Sequence, residues 1–332
     1  MTALGASEYT QLIATTMERW ESKDLVDQIF TRHPTLDLFR SKASSKAGRQ
    51  LVMNLEAADN KQTDLTDDSG TFDTSVSPDF IGTAVYKWSA PIVTPIRVQW
   101  KRLQEQAGKE QIVDLAKAHL ENAKKNHQKR LVGLLHADAS AVEQGSFLSL
   151  DEIVADYAYD DASVTRDVGG FRPDDSDHFW QAYRATIEAD PNDGDYVDIR
   201  KAFRHMRNEL LVATSHTHQV THIIAGRKVF EEFEDSFDDK VRYVEFGTGQ
   251  TRFRALMDGD IEVRLDPDCP EDRAYFLDMD AWEVAYLNGN FMKVQPAQEI
   301  SGTLDFVTPI ASVLAVGTQE RRASALMIRD YA

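Results

Sequence analysis

Three histidines, His216, His218 and His222, with His205 upstream, make the only concentration of imidazole in the chain. Two histidines one residue apart can chelate a metal from one face of a strand, and a carboxylate or third imidazole would complete the site. The run matches no HExxH helix pattern, and no acid beside it is placed to activate a water. Loop histidines are the plainer account, and a histidine-based metallohydrolase is the enzyme the residues allow. Gly247-Thr248-Gly249 resembles part of a nucleotide loop. It lacks the third glycine, and residues 250–257 read as a strand rather than a phosphate-holding helix, so a hairpin turn is expected. No phosphate-loop lysine and no nucleophile-elbow serine is present. Asp67-Asp68 and Asp160-Asp161 lie in polar stretches with nothing apolar nearby to shift a carboxyl pKa. Cys269 is the only cysteine, which excludes an intrachain disulfide framework and a thiolate metal cluster. No catalytic, cofactor-binding or metal residue is assigned, and a non-enzyme without cofactors is expected.

The elements that would have to position such residues are more informative than the residues. Residues 49–55 carry the apolar, partly alternating content of a strand. From Glu56 to Asp79 the chain has seven acids against the single Lys61, with turn formers at Asn60, Ser69-Gly70 and Ser77-Pro78. Phe80, Gly82, Ala84, Tyr86 and Trp88 then share one side of a period-two pattern, which predicts a returning strand. Beyond Pro91 the alternation resumes through Trp100, and Pro91 and Pro95 put that strand at a sheet edge or entrance. Residues 104–136 hold no proline, and Val113, Ala116, Leu120, Ala123, His127, Leu131 and Leu134 recur at helical spacing. A helix over residues 108–135 would run roughly 40 Å at ~1.5 Å per residue. Its opposite face, including Lys109, Lys117, Glu121, Lys124, Lys125 and Lys129, reads as solvated, with Glu121 and Lys125 at favourable spacing. A long hairpin with an acidic tip thus leads into one long helix.

The chain has 332 residues and a formal net charge of -18. That charge repels nucleic acid and anionic membrane at long range, and the short basic runs are too scattered for a sequence-reading footprint. No apolar run is long enough to span a membrane, and no secretory leader is evident, so a cytoplasm-like compartment is expected.

Residues 7–30 have a helical apolar pattern with Ser7 as a plausible N-cap and Pro34 as its stop, followed by a short apolar segment at 36–39 and a Ser/Lys-rich link at 41–48. Residues 149–156 start a helix, 177–189 are expected as an aromatic helical piece in a loop-rich acidic stretch, and 197–214 form a strong helix. A strand at 221–225 leads to a helix at 227–237. The remainder is mostly strand and turn, with candidates at 253–257, 261–265, 274–277, 282–287, 303–307 and 312–316, and the chain ends on an apolar run at 323–328. An isolated two-stranded ribbon is marginal in water, so the hairpin is expected to lie on another chain.

In this order of elements the chain resembles the major capsid proteins of tailed bacteriophages, whose shell fold also underlies encapsulin nanocompartments and the floor of the herpesvirus capsid. The most specific local match is Asp272-Arg273-Ala274-Tyr275-Phe276-Leu277-Asp278 followed by Trp282, with the ending at 323–331. The resemblance implies an α+β phage major capsid fold. It assigns 1–47 to an N-terminal arm, 48–90 to an extended hairpin loop, and 91–140 to a peripheral domain with a spine helix. It assigns 141–272 to an axial domain, 273–315 to further peripheral strands, and 316–332 to a return into the axial domain. It implies a structural virion protein, assembled in a bacterial host's cytoplasm, that forms hexamers and pentamers in an icosahedral shell around double-stranded DNA without reading its sequence. An encapsulin-type shell is the alternative within the fold. A portal protein and a separate scaffolding protein are implied partners, since the arm is too short to contain a scaffold, and a decoration protein is a further one; no membrane is involved. Inter-subunit contacts are expected at Trp20, Lys61, Asp64, Asp67, Asp68, Phe80, Tyr86 and Trp88. Some relatives cross-link a loop lysine to a neighbour's asparagine; Lys61 is the only lysine near the tip, and no matching asparagine or catalytic carboxylate is evident.

Overall fold

The computed structural model describes residues 33–56, 81–99, 109–137, 145, 147–154, 168–171, 180–189, 197–237, 244–246, 253–299 and 305–331. The first half contains helix α1 (Pro34–Ser41), strands β1 (Ala43–Lys46), β2 (Gln50–Glu56), β3 (Ile81–Lys87) and β4 (Ile92–Val98), the long helix α2 (Lys109–Leu135) and the short helix α3 (Leu150–Val154). Then come β5 (Tyr183–Glu188), α4 (Ile199–Ala213), β6 (His222–Ala225), α5 (Arg227–Asp235), β7 (Val244–Phe246), β8 (Phe253–Asp258) and β9 (Ile261–Leu265). The rest is β10 (Arg273–Leu277), β11 (Trp282–Leu287), β12 (Lys293–Val294), β13 (Gln298–Glu299), β14 (Phe306–Ser312), β15 (Leu314–Thr318) and β16 (Ser324–Asp330). The expected α+β class is what the chain adopts.

Strands β5, β16, β10, β6, β9, β8 and β7, in that order, make a seven-stranded mixed sheet. Its two faces are both apolar, because alternate residues of its central strands serve different cores. Ala274 and Phe276 of β10, with Ala325 and Met327 of β16, join Phe203, Met206, Phe230 and Phe233 of α4 and α5. Tyr275, Leu277 and Leu326 point the other way, into the larger core that also takes Leu120 and Leu131 of α2. Period-two alternation with both phases apolar is the signature of a sheet covered on both sides.

The other sheets are smaller. The parallel pair β1 and β11 with antiparallel β15 forms one; β2 and β3 form the hairpin; β14 carries β12 and β13 on one side and β4 on the other. Among the described strands β4 pairs with β14 alone, as its two nearby prolines predict, and Pro95 faces Pro309, which confines two missing donors to one rung.

Several expectations give way. Residues 41–48 are not a link, because β1 adds to β11 in parallel register from Ala43↔Val284 to Lys46↔Leu287. The helical piece expected at 177–189 is instead β5, held in parallel by β16, while Tyr183, Ala185 and Ile187 turn toward the α4 core. The strand expected at 303–307 runs through Pro309 to Ser312. Strand β10 sits in the middle of the seven-stranded sheet between β16 and β6. On α2, Lys124 is buried rather than solvated, and Glu121 pairs back to Lys117 at 3.9 Å. Pro34 opens α1 rather than only ending what precedes it, its fixed φ suiting the first helical turn.

Local chemistry fixes two further helix starts. Ser149 Oγ accepts from Glu152 N at 3.1 Å and the Glu152 carboxylate accepts from Ser149 N at 3.1 Å, a reciprocal capping box on α3. Asp198 caps α4 by accepting from the Arg200 and Lys201 amides at 3.0 and 3.4 Å.

Candidate assembly site

The root of the hairpin is built into its own subunit. In β2 and β3 the residues at period two, Leu51, Met53, Leu55, Ala84 and Tyr86, are buried in the larger core, while Val52, Asn54, Thr83 and Lys87 face outward. The register runs from Gln50↔Lys87 to Glu56↔Ile81. Tyr86 is the pin. Its hydroxyl donates to Thr318 O at 2.7 Å and accepts from Thr318 N at 3.1 Å, so the end of β15 is held by a side chain of β3. Burial pushes the phenol up to about 12, opposed by the backbone hydrogen bond to Thr318 and the charge of Arg321.

Two glycines let the ring in. A Cβ on Gly317 would stand 2.6 Å from the Tyr86 ring, and Gly169, at φ +64°, would bring one to 3.0 Å from Ala84 and 3.2 Å from Trp180. Main-chain bonds complete the seat: Val85 N to Gly169 O at 2.9 Å, Ser89 N to Leu314 O at 2.8 Å, and Ala90 N to Gly145 O at 2.6 Å. The expectation that the hairpin needs another chain for support therefore fails at its root, where its apolar face is covered by its own subunit.

The arm's root is held just as firmly. Phe39 of α1 meets Trp282 edge to face at 5.7 Å. The buried Asp266 accepts from the Thr35 amide at 3.2 Å and from the Thr35 hydroxyl, with His136 Nε2 at 3.4 Å, so one carboxylate ties α1 to the end of α2. Burial alone would raise the Asp266 pKa. The hydrogen bond and charge of His136, with the Thr35 bond, outweigh it and hold the carboxyl at about 2. His33 binds Asp268 at 2.6 Å alongside. Midway along α2, the buried His127 is hydrogen-bonded to Thr94 Oγ1 at 2.9 Å and Ser312 Oγ at 2.8 Å, joining the helix to β4 and β14. Burial lowers its pKa to about 4, so it is a neutral core histidine.

Of the contact residues expected from sequence, Trp20, Lys61, Asp64, Asp67, Asp68 and Phe80 lie outside the described residues. Tyr86 is a correction: it is 2% exposed and spent on Thr318, which leaves it no surface to offer a neighbour. Trp88 is half-buried, with its indole N–H donating to Gly48 O at 3.0 Å.

The histidine run does not converge. His218 is bound through Nδ1 to Asp278 at 2.7 Å and through Nε2 to Glu320 at 3.0 Å, while His222 meets Thr221 Oγ1 at 3.0 Å and His216 is exposed at φ 68°. Among the described residues no three His, Cys, Asp or Glu side chains are arranged to hold a metal. Sequence reasoning missed the two acids on His218, which come from strand ends far along the chain and leave no local signal. Cys269 is buried, and burial pushes its thiol well above the usual range. No described helix is long and apolar enough to cross a membrane.

No protein-family model matches the chain, and no curated protein matches it in sequence. Solved structures do. The chain is similar to a chain of the cyanophage A-1(L) capsid asymmetric unit at TM-score 0.62 and 14% identity, over 90% of this chain and 93% of that one. It is similar to a chain of the satellite phage P4 procapsid at TM-score 0.55 and 12% identity, over 99% and 93%. A capsid chain of a native GTA particle gives TM-score 0.56 and 10% identity over 88% and 89%. Matches that span nearly the whole of both chains establish that this chain has the phage major capsid fold.

Proposed function

We propose that the chain is a major capsid protein, a structural subunit that self-assembles into hexamers and pentamers of an icosahedral head enclosing double-stranded DNA. The observation that carries this reading is the end-to-end likeness to capsid chains, about nine tenths of this chain and of the cyanophage one. In this reading the seven-stranded sheet with α4 and α5 is the axial domain, to which β10 and β16 belong. The sheets around β11 and β14, with α2 as spine, are the peripheral domain. Residues 1–47 are the arm and 48–90 the extended loop. A portal protein, a scaffolding protein and a decoration protein are the partners such a shell takes. The chain acts without catalysis, and its net charge of -18 keeps contact with packaged DNA weak and unspecific.

The acidic loop tip and arm supply the contacts between subunits, with Asp64, Asp67 and Asp68 meeting basic groups of a neighbour and Trp20, Lys61, Phe80 and Trp88 beside them. Electron microscopy of the purified chain tests the reading. Closed shells with hexameric and pentameric capsomers are expected, and subunits that stay dispersed at all salt and protein concentrations would overturn it. Shells that hold a cargo enzyme and no duplex DNA would move it to an encapsulin-type compartment. Asn replacing Asp64, Asp67 and Asp68 together should cut assembly yield while leaving the urea midpoint unchanged, because acids in so polar and turn-rich a stretch contribute little to folding. Wild-type yield from that variant would remove the tip from the interface.

A further inference from the structure

Helices α4 and α5 cover one face of the seven-stranded sheet side by side, with Phe203 stacked on Phe233 at 4.7 Å. Their outward faces carry opposite charge. Arg200, Lys201 and Arg204 are exposed on α4, and Glu231 and Asp235 are exposed on α5. Among the described residues none of these side chains forms a salt bridge, and Arg200 lies instead over the Phe237 ring, 4.8 Å from its centroid. The other arginines and lysines of the two helices are taken, Arg207 by Asp258 at 2.8 Å, and Arg227 and Lys228 by Glu271 at 2.7 and 3.6 Å.

Neither charged row helps its own helix. Arg200 and Lys201 stand in the first turn of α4, at the positive end of the helix dipole, and Asp235 ends α5, at the negative one. Within each row like charges stand four residues apart, Arg200 with Arg204 and Glu231 with Asp235, a spacing that destabilises a helix. The charges oppose local folding and are not neutralised by contact within the described subunit.

A chain of net charge -18 repels its own copies, so electrostatic attraction between copies has to come from local patches of opposite sign. Each copy carries one of each. Duplex DNA fits the pair less well, since phosphates seated on α4 would approach the acids of α5. We propose that the basic face of α4 and the acidic face of α5 are the two halves of a contact between copies of this chain, Arg200, Lys201 and Arg204 meeting Glu231 and Asp235 of the partner subunit. This contact rests on the reading of the chain as a self-assembling subunit.

The test separates the two. Chain labelled with 15N is mixed with unlabelled chain, allowed to associate and treated with a carbodiimide, which joins an amine to a carboxylate only where the two touch. Cross-linked peptides joining Lys201 to Glu231 or Asp235, with one labelled and one unlabelled half, are expected. Charge reversal gives a second arm, read by sedimentation as the subunit concentration at half-association. Arg200→Glu, Lys201→Glu and Arg204→Glu together in one chain, and Glu231→Lys with Asp235→Lys in another, should each raise that concentration at least about tenfold. Both reversals put charges where the helix dipoles favour them, so urea midpoints should not fall. Mixing the two variants, or combining both sets in one chain, should recover wild-type association, because opposite signs meet again. Cross-links confined to single chains, unaltered association in either variant with a lowered midpoint or without one, or failure of both rescues would each overturn the contact. Retention of duplex DNA that only the α4 reversal abolishes, with no mixed-label cross-link, would overturn it in favour of phosphate on that face. Closed shells without the cross-link remove the contact and leave the shell reading standing; mixed-label cross-links and rescue in assemblies that never close do the reverse.

Discussion

At Tyr86 a single hydroxyl serves both polar groups of one buried residue. Thr318 is fully buried, and its N–H and C=O have the Tyr86 oxygen as partner. Replacing Tyr86 with Phe removes that oxygen and leaves the two groups in an apolar site, at a cost of about 1–3 kcal/mol. Chemical denaturation should show a lower midpoint at unchanged slope, and a wild-type midpoint would mean that Thr318 finds partners elsewhere. The same logic covers the fully buried guanidinium groups. Arg321 donates to Ile153 O at 2.7 Å and Trp180 O at 2.9 Å, and Arg329 is forked onto Glu232 while donating to Glu188 O at 2.7 Å. Each charge sits inside because its donors are filled, and a single partner lost would leave it exposed to the full burial penalty.

The turn between β9 and β10 constrains helix α5 through a backbone contact. A Cβ on Gly226, the residue before α5, would lie 1.9 Å from Pro270 O, and no rotation of a side chain can relieve a clash with backbone. Gly226→Ala should cost over about 3 kcal/mol or give insoluble protein, and near-native stability in the variant would show that residues 269–271 move freely. This contact illustrates what sequence could and could not tell. Elements with their own periodicity were readable: β2, β3, β4, α2 and α4 follow patterns of two or 3.6 residues that any local window detects. Strand β1 was not, since ASSK has a weak pattern and becomes a strand because β11 offers it a parallel edge, whereas YRATIE does alternate, with Tyr183, Ala185 and Ile187 on the core side, but is short and set in a turn-rich acidic stretch. Which sheet β10 joins was equally out of reach, for sheet membership is a property of partners. The hairpin and long helix were legible as a unit, whereas the covering of the hairpin's root required knowing that β15 passes beneath Tyr86.

For the molecule as a whole, acid should act in two stages. His127 titrates at about 4 when folded, against an ordinary 6.5. Between those values the unfolded chain binds a proton that the folded one refuses, so stability falls as pH drops from about 6.5 to about 4. Asp266 has a folded value of about 2 against 3.8, so it stays ionised while its unfolded counterpart protonates, and stability falls again as pH drops from about 4 to about 2. Urea midpoints across this range should decline in both windows, and His127→Asn should flatten the upper one while leaving the lower intact. A midpoint constant from pH 6.5 to 4 in the wild-type chain would show that His127 reaches solvent. The seven-stranded sheet carries a different consequence, one of timing. Among the described strands β5 has β16 as its one neighbour in that sheet, and Arg329 reaches Glu188 across 141 residues. Closing so long a loop is slow, and until it closes β16 presents an open edge where β5 will dock. The subunit thus reaches its native sheet only when its late strand has docked, and the rate of that docking sets the pace of folding.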